Sequence, residues 1–289
     1  MGVESLVFGV NKLDLVDFDE RRFREVEREL LDFAARLPTT RVSVVPVAAL
    51  GGDNVVERST AMPWYAGPTL LELLEEAPVP QRSEAPLRFP VQWVVRPGED
   101  AHHDYRAYGG QIAQGRVKVG DRVAVWPSGK VTTITAIERF PEELQEAAAP
   151  LSVALRFADD LDVGRGDVLT HESAPPRIGQ RLLATLAWFD GRPARPGARY
   201  WLKCHTQTVK ARLEELVGTV ELDGLSVVPG AEELRQNDLA VVRLATSAPL
   251  VFDTYDDAQT TGSFILVDEA THETVAAGLL RLESGEDAR

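Results

Sequence analysis

Cysteine is nearly absent: the chain has one, Cys204, in 289 residues. A single thiol cannot build an internal disulfide framework, and this usage suits a reducing cytoplasm, where the protein is expected to reside. Long apolar runs are missing too. None approaches the roughly 18 residues that a membrane-spanning helix needs, and the first residues lack the pattern of a secretory leader. Basic charge is the third shortage, with 31 Lys+Arg against 45 Asp+Glu and a formal net charge of −14. That balance argues against non-specific nucleic-acid binding, which draws on basic patches. Internal repeats, low-complexity tracts and heptads are lacking as well. What remains, 44% hydrophobic and 26% charged residues, is ordinary for a globular protein long enough for two or three domains.

Residues 1–81 read as α/β. A short apolar run over residues 6–10 ends abruptly in Asn11-Lys12-Leu13-Asp14, as a strand does when it delivers polar side chains at its C-terminal edge. In open α/β sheets ligands bind at that edge. Phe23, Val26, Leu30, Leu31, Ala34 and Leu37 recur at three- and four-residue steps, which predicts a helix over 17–38 with Asp17, Asp19 and Glu20 at its start and Pro38 as its stop. The β-branched stretch 41–47 predicts a second strand running into the turn-prone Ala48-Ala49-Leu50-Gly51-Gly52-Asp53. Strand, helix and strand make a βαβ unit, whose parallel pairing places 48–50 on the same edge as Asn11–Asp14. The chemistry there suits guanine. The Asp14 carboxylate can accept from the N1–H and 2-amino group together, the Lys12 stem can lie along the base plane, and Asn11 can brace the loop. After Met62-Pro63-Trp64-Tyr65, Gly67-Pro68 opens a short helix over 69–76, and Pro78 and Pro80 begin a linker that runs to about Glu84.

From Pro86 the pattern changes to short alternating segments separated by Gly, Pro and Asp. Stretches 87–95, 109–114, 122–126, 131–140, 151–157 and 168–169 read as strands of one β-barrel, occupying 82–176. A Pro-containing break at 174–176 is followed by 181–188, 197–205, 207–220, 238–244, 262–268 and 275–280, a second barrel within 177–289 that ends in an acidic tail from Glu283. The fold class is therefore mainly β with an N-terminal α/β portion.

An α/β nucleotide domain followed by two barrels resembles the translational GTPases. Asn-Lys-x-Asp is the guanine signature of such proteins, and Pro63-Trp64-Tyr65 with Thr69-Leu70-Leu71-Glu72 looks like the segment that closes their GTPase domain. The barrels are more particular. Tyr105-Arg106-Ala107-Tyr108-Gly109-Gly110-Gln111-Ile112-Ala113-Gln114-Gly115 closely resembles the large, GTP-binding subunit of bacterial sulfate adenylyltransferase (ATP sulfurylase), whose usual form is Phe-Arg-Gly-Tyr-Ala-Gly-x-Ile-Ala-x-Gly. Val125-Trp126-Pro127-Ser128-Gly129, Arg165-Gly166-Asp167-Val168-Leu169, Phe252-Asp253-Thr254-Tyr255 and Thr261-Gly262-Ser263-Phe264-Ile265 extend the match. The resemblance implies GTP as ligand, with the base read by Asn11, Lys12 and Asp14 and by the loop Ala48-Ala49-Leu50. Ala48 stands where Ser is usual, and the Ala49 N–H would meet the guanine carbonyl. It implies as partner a small catalytic subunit that joins sulfate to the α-phosphate of ATP, the step that GTP hydrolysis would drive. An elongation-factor-type protein that grips tRNA, and a two-barrel interaction module without nucleotide, are the alternatives.

Two motifs of that family are missing. No Gly-x-x-x-x-Gly-Lys-Ser/Thr phosphate loop occurs, since the only Gly-Lys pair, Gly129-Lys130, is followed by Val131; the Asp-x-x-Gly switch is absent as well. In the family both precede the guanine motif. The chain is thus expected to begin partway through its GTPase domain, without the ligands for Mg²⁺, and to be inactive alone. A sheet of two strands would leave an edge and apolar faces exposed. Other polar clusters promise less chemistry. His102 and His103 would point to opposite faces of a strand, a poor chelating pair, and Asp159-Asp160-Leu161-Asp162 reads as a polar turn rather than a calcium loop. Cys204 and His205 would likewise face opposite ways, with no thiol-nucleophile arrangement. Trp64, Trp93, Trp126, Trp188 and Trp201 are expected to pack in cores or between domains.

Overall fold

The structure is a computed structural model that describes residues 5–37, 41–77, 82–96, 105–221 and 226–282. Expectations for Pro38, Pro78, Pro80, His102–Asp104 and the tail from Glu283 fall outside the described residues. The chain divides into two compact units, Met1–Pro80 and Gln81–Arg289.

In the first unit, β1 (Ser5–Val10) and β2 (Arg41–Pro46) pair in parallel, from Ser5 opposite Arg41 to Val10 opposite Pro46. The crossover is α1 (Glu20–Ala34), three residues later in its start than the sequence predicts. Asp17 and Phe18 adopt left-handed conformations, which a right-handed helix cannot include, and Asp19 becomes the cap by accepting from the Arg21 N–H at 2.8 Å. Phe23 of α1 is fully buried with Leu13 and Met62, and Trp64 and Tyr65 close over it, their ring centroids 5.4 and 6.3 Å away. The Trp64 indole N–H reaches the Phe18 carbonyl at 3.1 Å, the hydrogen bond that a half-buried Trp needs. A short helix, α2 (Leu70–Glu75), starts in a complete capping box between Thr69 and Glu72. No residue of β1 is fully buried, and Leu15, Leu50 and Val56 stand largely exposed.

Both barrels of the second unit are closed. The first is built from β3 (Phe89–Val95), β4 (Ala107–Gln111), β5 (Arg116–Lys118), β6 (Arg122–Trp126), β7 (Lys130–Arg139), β8 (Glu142–Leu144), β9 (Glu146–Ala148), β10 (Ser152–Phe157) and β11 (Val168–His171). Its ring runs β10-β4-β3-β11-β6-β7 and back to β10, while β5 and β9 pair separately. The second uses β12 (Arg177–Trp188), β13 (Arg199–Cys204), β14 (Gln207–Glu221), β15 (Ser226–Val228), β16 (Leu239–Phe252), β17 (Ser263–Asp268) and β18 (Thr274–Arg281). Its ring runs β13-β17-β18-β12-β16-β14 and closes on β13. Closure removes the unpaired edges that an open sheet would expose. Alternation along β12, where Leu182, Ala184, Leu186 and Trp188 face in, fills one core, and Phe89, Val91, Ile134, Ile137 and Leu155 fill the other.

The barrels are joined by a buried ion pair. Arg88 donates through Nε and Nη2 to the two carboxylate oxygens of Asp253, at 2.8 and 2.7 Å, with both side chains under a tenth exposed. Nη1 of Arg88 is spent on the carbonyls of Leu87 and Ala174, and Asp253 also accepts from the Thr261 hydroxyl at 2.5 Å.

Two side-chain expectations are corrected. Trp93 is 69% exposed on the outer face of β3, because a register shift between Val91 and Trp93 breaks the alternation that keeps Phe89 and Val91 inward. His205 is not a strand residue; with φ 42 it takes the tight turn with Thr206 between β13 and β14. Its Nε2 lies 2.9 Å from the Val251 carbonyl, and burial pushes its pKa down, so the ring is neutral and donates there. Cys204 is fully buried, its thiol pushed up to about 12 by burial and then by Asp253, so it serves as a packing group.

Candidate functional site

The C-terminal edge of the β1–β2 pair gathers every residue that the sequence offers for base recognition. Parallel register brings Val10 beside Pro46, and the Val47 N–H donates to the Val10 carbonyl at 2.9 Å, so the two chains leave the sheet together. Asn11 then turns back on the neighbouring loop. Its Oδ1 accepts from the Lys12 N–H at 2.8 Å and from the Ala49 N–H at 3.0 Å. Lys12 takes a left-handed conformation (φ 66), which reverses the chain and buries Leu13 while leaving Asp14 at the mouth of the next turn. The Asp14 carboxylate is exposed and has no partner among the described residues.

The loop opposite is built as firmly. Ala48 is buried, and its carbonyl accepts from the N–H groups of Gly51, Gly52 and Asp53. Ala49 and Leu50 are thereby held outward, Leu50 almost wholly exposed. The Ala49 amide, the expected donor to a guanine carbonyl, is occupied by Asn11. The Leu50 N–H makes no hydrogen bond among the described residues, which leaves it the open donor on this loop. The edge thus presents one unpaired carboxylate, one amide donor and the Lys12 stem. That set can take the hydrogen-bonding face of a guanine. Among the described residues no cluster of three or more His, Cys, Asp or Glu could hold a metal.

Asn54 is the structural residue that the sequence reading passes over. It is 2% exposed with φ 55, its Nδ2 donating to the Pro46 carbonyl at 3.0 Å and its Oδ1 accepting from the Ser59 N–H at 2.8 Å. Its own carbonyl accepts from Leu70, tying the loop to the start of α2. The only trace in the sequence is its place after Gly-Gly-Asp, in a run that favours positive φ. Asn54→Ala is expected to cost about 2 kcal/mol by stranding the Pro46 carbonyl and the Ser59 amide. Amide hydrogen exchange at Val47 and Ala48 should then quicken roughly thirtyfold; unchanged protection would refute this role.

Residues 181–281 match the family described as GTP-eEF1A C-terminal domain-like. Over 97% of its length the chain is 42% identical to the bifunctional enzyme CysN/CysC of Mycobacterium tuberculosis, of which it covers 46%. It is 38% identical over 97% of its length to sulfate adenylyltransferase subunit 1 of Aeromonas hydrophila, of which it covers 58%. Among solved structures, Sup35 complexed with GDP superposes with a TM-score of 0.64 and 27% identity, over 97% of this chain and 70% of that one. Sup35 complexed with GMPPNP gives 0.63 over 96% and 69%. The chain spans about half the length of the curated relatives it matches. Over nearly its whole length the chain is thus homologous to part of proteins named sulfate adenylyltransferase subunit 1, and its C-terminal barrel fits the translational-GTPase superfamily.

Proposed function

We propose that this chain provides the guanine-reading edge and the two barrels of the GTP-binding regulatory subunit of sulfate adenylyltransferase, acting in sulfate assimilation in the cytoplasm. The carrying observation is the Asn11–Ala49 hydrogen bond, which joins the Asn-Lys-x-Asp segment and the 48–50 loop into one site. The 38% identity to a protein named sulfate adenylyltransferase subunit 1 supports it. In this reading Asp14 accepts from N1–H and the 2-amino group, the Leu50 N–H donates to the carbonyl oxygen, and Lys12 covers the ring. GTP, when bound, supplies the phosphoanhydride whose hydrolysis offsets the uphill joining of sulfate to the α-phosphate of ATP. That transfer takes place on a small catalytic partner subunit.

Because the 289 residues contain no phosphate loop, the chain by itself should neither hydrolyse GTP nor bind it tightly. Isothermal calorimetry showing nanomolar GTP affinity would overturn this. The partnership is tested by co-purification with the small catalytic subunit of a sulfate adenylyltransferase. Co-elution at equal stoichiometry is expected; absence of that complex together with retention of tRNA would favour the elongation-factor reading, which the match of residues 181–281 keeps in view.

A further inference from the structure

The two barrels meet along a seam that contains a cavity of about 340 Å³. Its polar lining is unusual for so acidic a protein: Arg165, Gln92 and Gln111 come from the first barrel, His205, Thr206 and Thr260 from the second, and among the described residues no carboxylate lines it. Arg165 is exposed, and among the described residues only one of its five N–H groups is engaged, Nη1 on the Gln92 carbonyl at 3.0 Å. Its backbone is fixed before any ligand arrives. The Gly164 N–H donates to the Asp167 carboxylate at 2.9 Å, the Asp167 N–H to the Gly164 carbonyl, and the Gly166 N–H to the Val91 carbonyl. Asp167, the nearest carboxylate along the chain, is thus turned inward to hold the turn. Gln111 gives one amide hydrogen to the Pro150 carbonyl and keeps the other. The side chains of Gln92 and Thr260 have no partner among the described residues.

On the second barrel the neutral His205 is pinned through Nε2 to Val251, which leaves Nδ1 as an acceptor 3.4 Å from the Thr206 hydroxyl. The ring is therefore a wall and not a cation. Asp253, close by in the chain fold, is fully spent on Arg88 and Thr261. One guanidinium with spare donors, two amides and a hydroxyl converge from separate elements, in three dimensions rather than in one plane. A surplus of donors around a single positive charge, without a compensating carboxylate, is the chemistry of an anion site.

We propose that this seam binds a small tetrahedral oxyanion, sulfate or phosphate, held by Arg165 from one barrel and Thr260 from the other. The site is independent of the guanine edge and of the proposed function. Because its ligands come from both barrels, an occupied seam would tighten the barrel pair.

The test is calorimetric titration of the full 289-residue chain with sodium sulfate and, separately, with sodium phosphate, against sodium chloride at matched ionic strength. Saturable one-to-one binding of sulfate or phosphate is expected, at least tenfold tighter than chloride. A response to one of the two identifies the anion, and a response to both defines a general oxyanion site. R165Q should weaken binding roughly tenfold or more, the scale of a lost charge-assisted hydrogen bond. T260V should weaken it less, and R181Q, which removes an exposed arginine elsewhere, should leave it unchanged. No preference over chloride, or an R165Q chain that binds as the parent does, would overturn the proposal.

Discussion

Replacing Asp253 with alanine is expected to destabilise the barrel pair by about 3–5 kcal/mol, the usual cost of removing one partner from a buried ion pair. The guanidinium of Arg88 would remain where the fold puts it. Its Nη1 would still be satisfied by the Leu87 and Ala174 carbonyls, but Nε and Nη2 would face an apolar gap instead of two carboxylate oxygens. The Thr261 hydroxyl would lose its acceptor as well. Arg88→Met should cost a similar amount, this time by stranding the carboxylate. The double substitution Arg88→Met with Asp253→Leu should recover much of the loss, because charge and counter-charge disappear together and so does the desolvation cost of each. Urea unfolding of the three variants gives the cycle. Additive losses in the double variant would show that the pair does not act as a unit.

Gly262→Ala should be the second large effect, about 2–3 kcal/mol or more, through overpacking. A Cβ at this position would fall 2.5 Å from the Thr254 carbonyl carbon and oxygen and from the Tyr255 Cα. All three are backbone atoms, so no side-chain rotation relieves the clash. The neighbouring chain cannot retreat either. The Gly262 N–H donates to Ala258 at 2.7 Å, Leu280 donates to the Gly262 carbonyl at 2.8 Å, and Tyr255 donates to the Leu280 carbonyl at 3.0 Å. That loop also carries Asp253 and Thr261, so the damage should reach the ion pair. Gly191→Ala is the control, since a Cβ there meets nothing within 4 Å. A melting temperature for Gly262→Ala equal to that of Gly191→Ala would contradict the close approach.

These two predictions concern contacts that the sequence conceals. Arg88 and Asp253 are 165 residues apart, and a lone Arg beside Leu87 or a lone Asp after Phe252 has the look of a solvent-facing strand end. Local patterning was informative where one residue's neighbours settle its place. The alternation of Leu182, Ala184, Leu186 and Trp188 follows from a strand with one face in a core, and both barrels announce themselves in this way. The short strands β5, β8, β9 and β15 escaped because three residues are too few to show a period. Trp93 shows the limit from the other side. Period-2 spacing from Phe89 and Val91 would turn its ring inward, and the register shift between Val91 and Trp93, which no local pattern reveals, turns it out. At the proposed guanine edge, residues 11–14 and 48–50 were legible as candidates, because parallel pairing forces both segments to one end of the sheet. The use of Asn11 Oδ1 on the Ala49 amide, and the buried Asn54 beneath the loop, needed coordinates.

The central claim is that this edge discriminates guanine. It is tested most directly by following backbone amide resonances of the intact chain while GDP or ADP is titrated to millimolar concentration. Binding without a phosphate loop should be weak, so shifts are expected only at high ligand. With GDP they should centre on Leu50, Ala49 and Lys12, and ADP should leave those amides in place. Asp14→Ala should erase the difference between the two nucleotides without altering the spectrum of the barrels. Equal shifts for GDP and ADP, or a guanine preference that survives Asp14→Ala, would contradict the account.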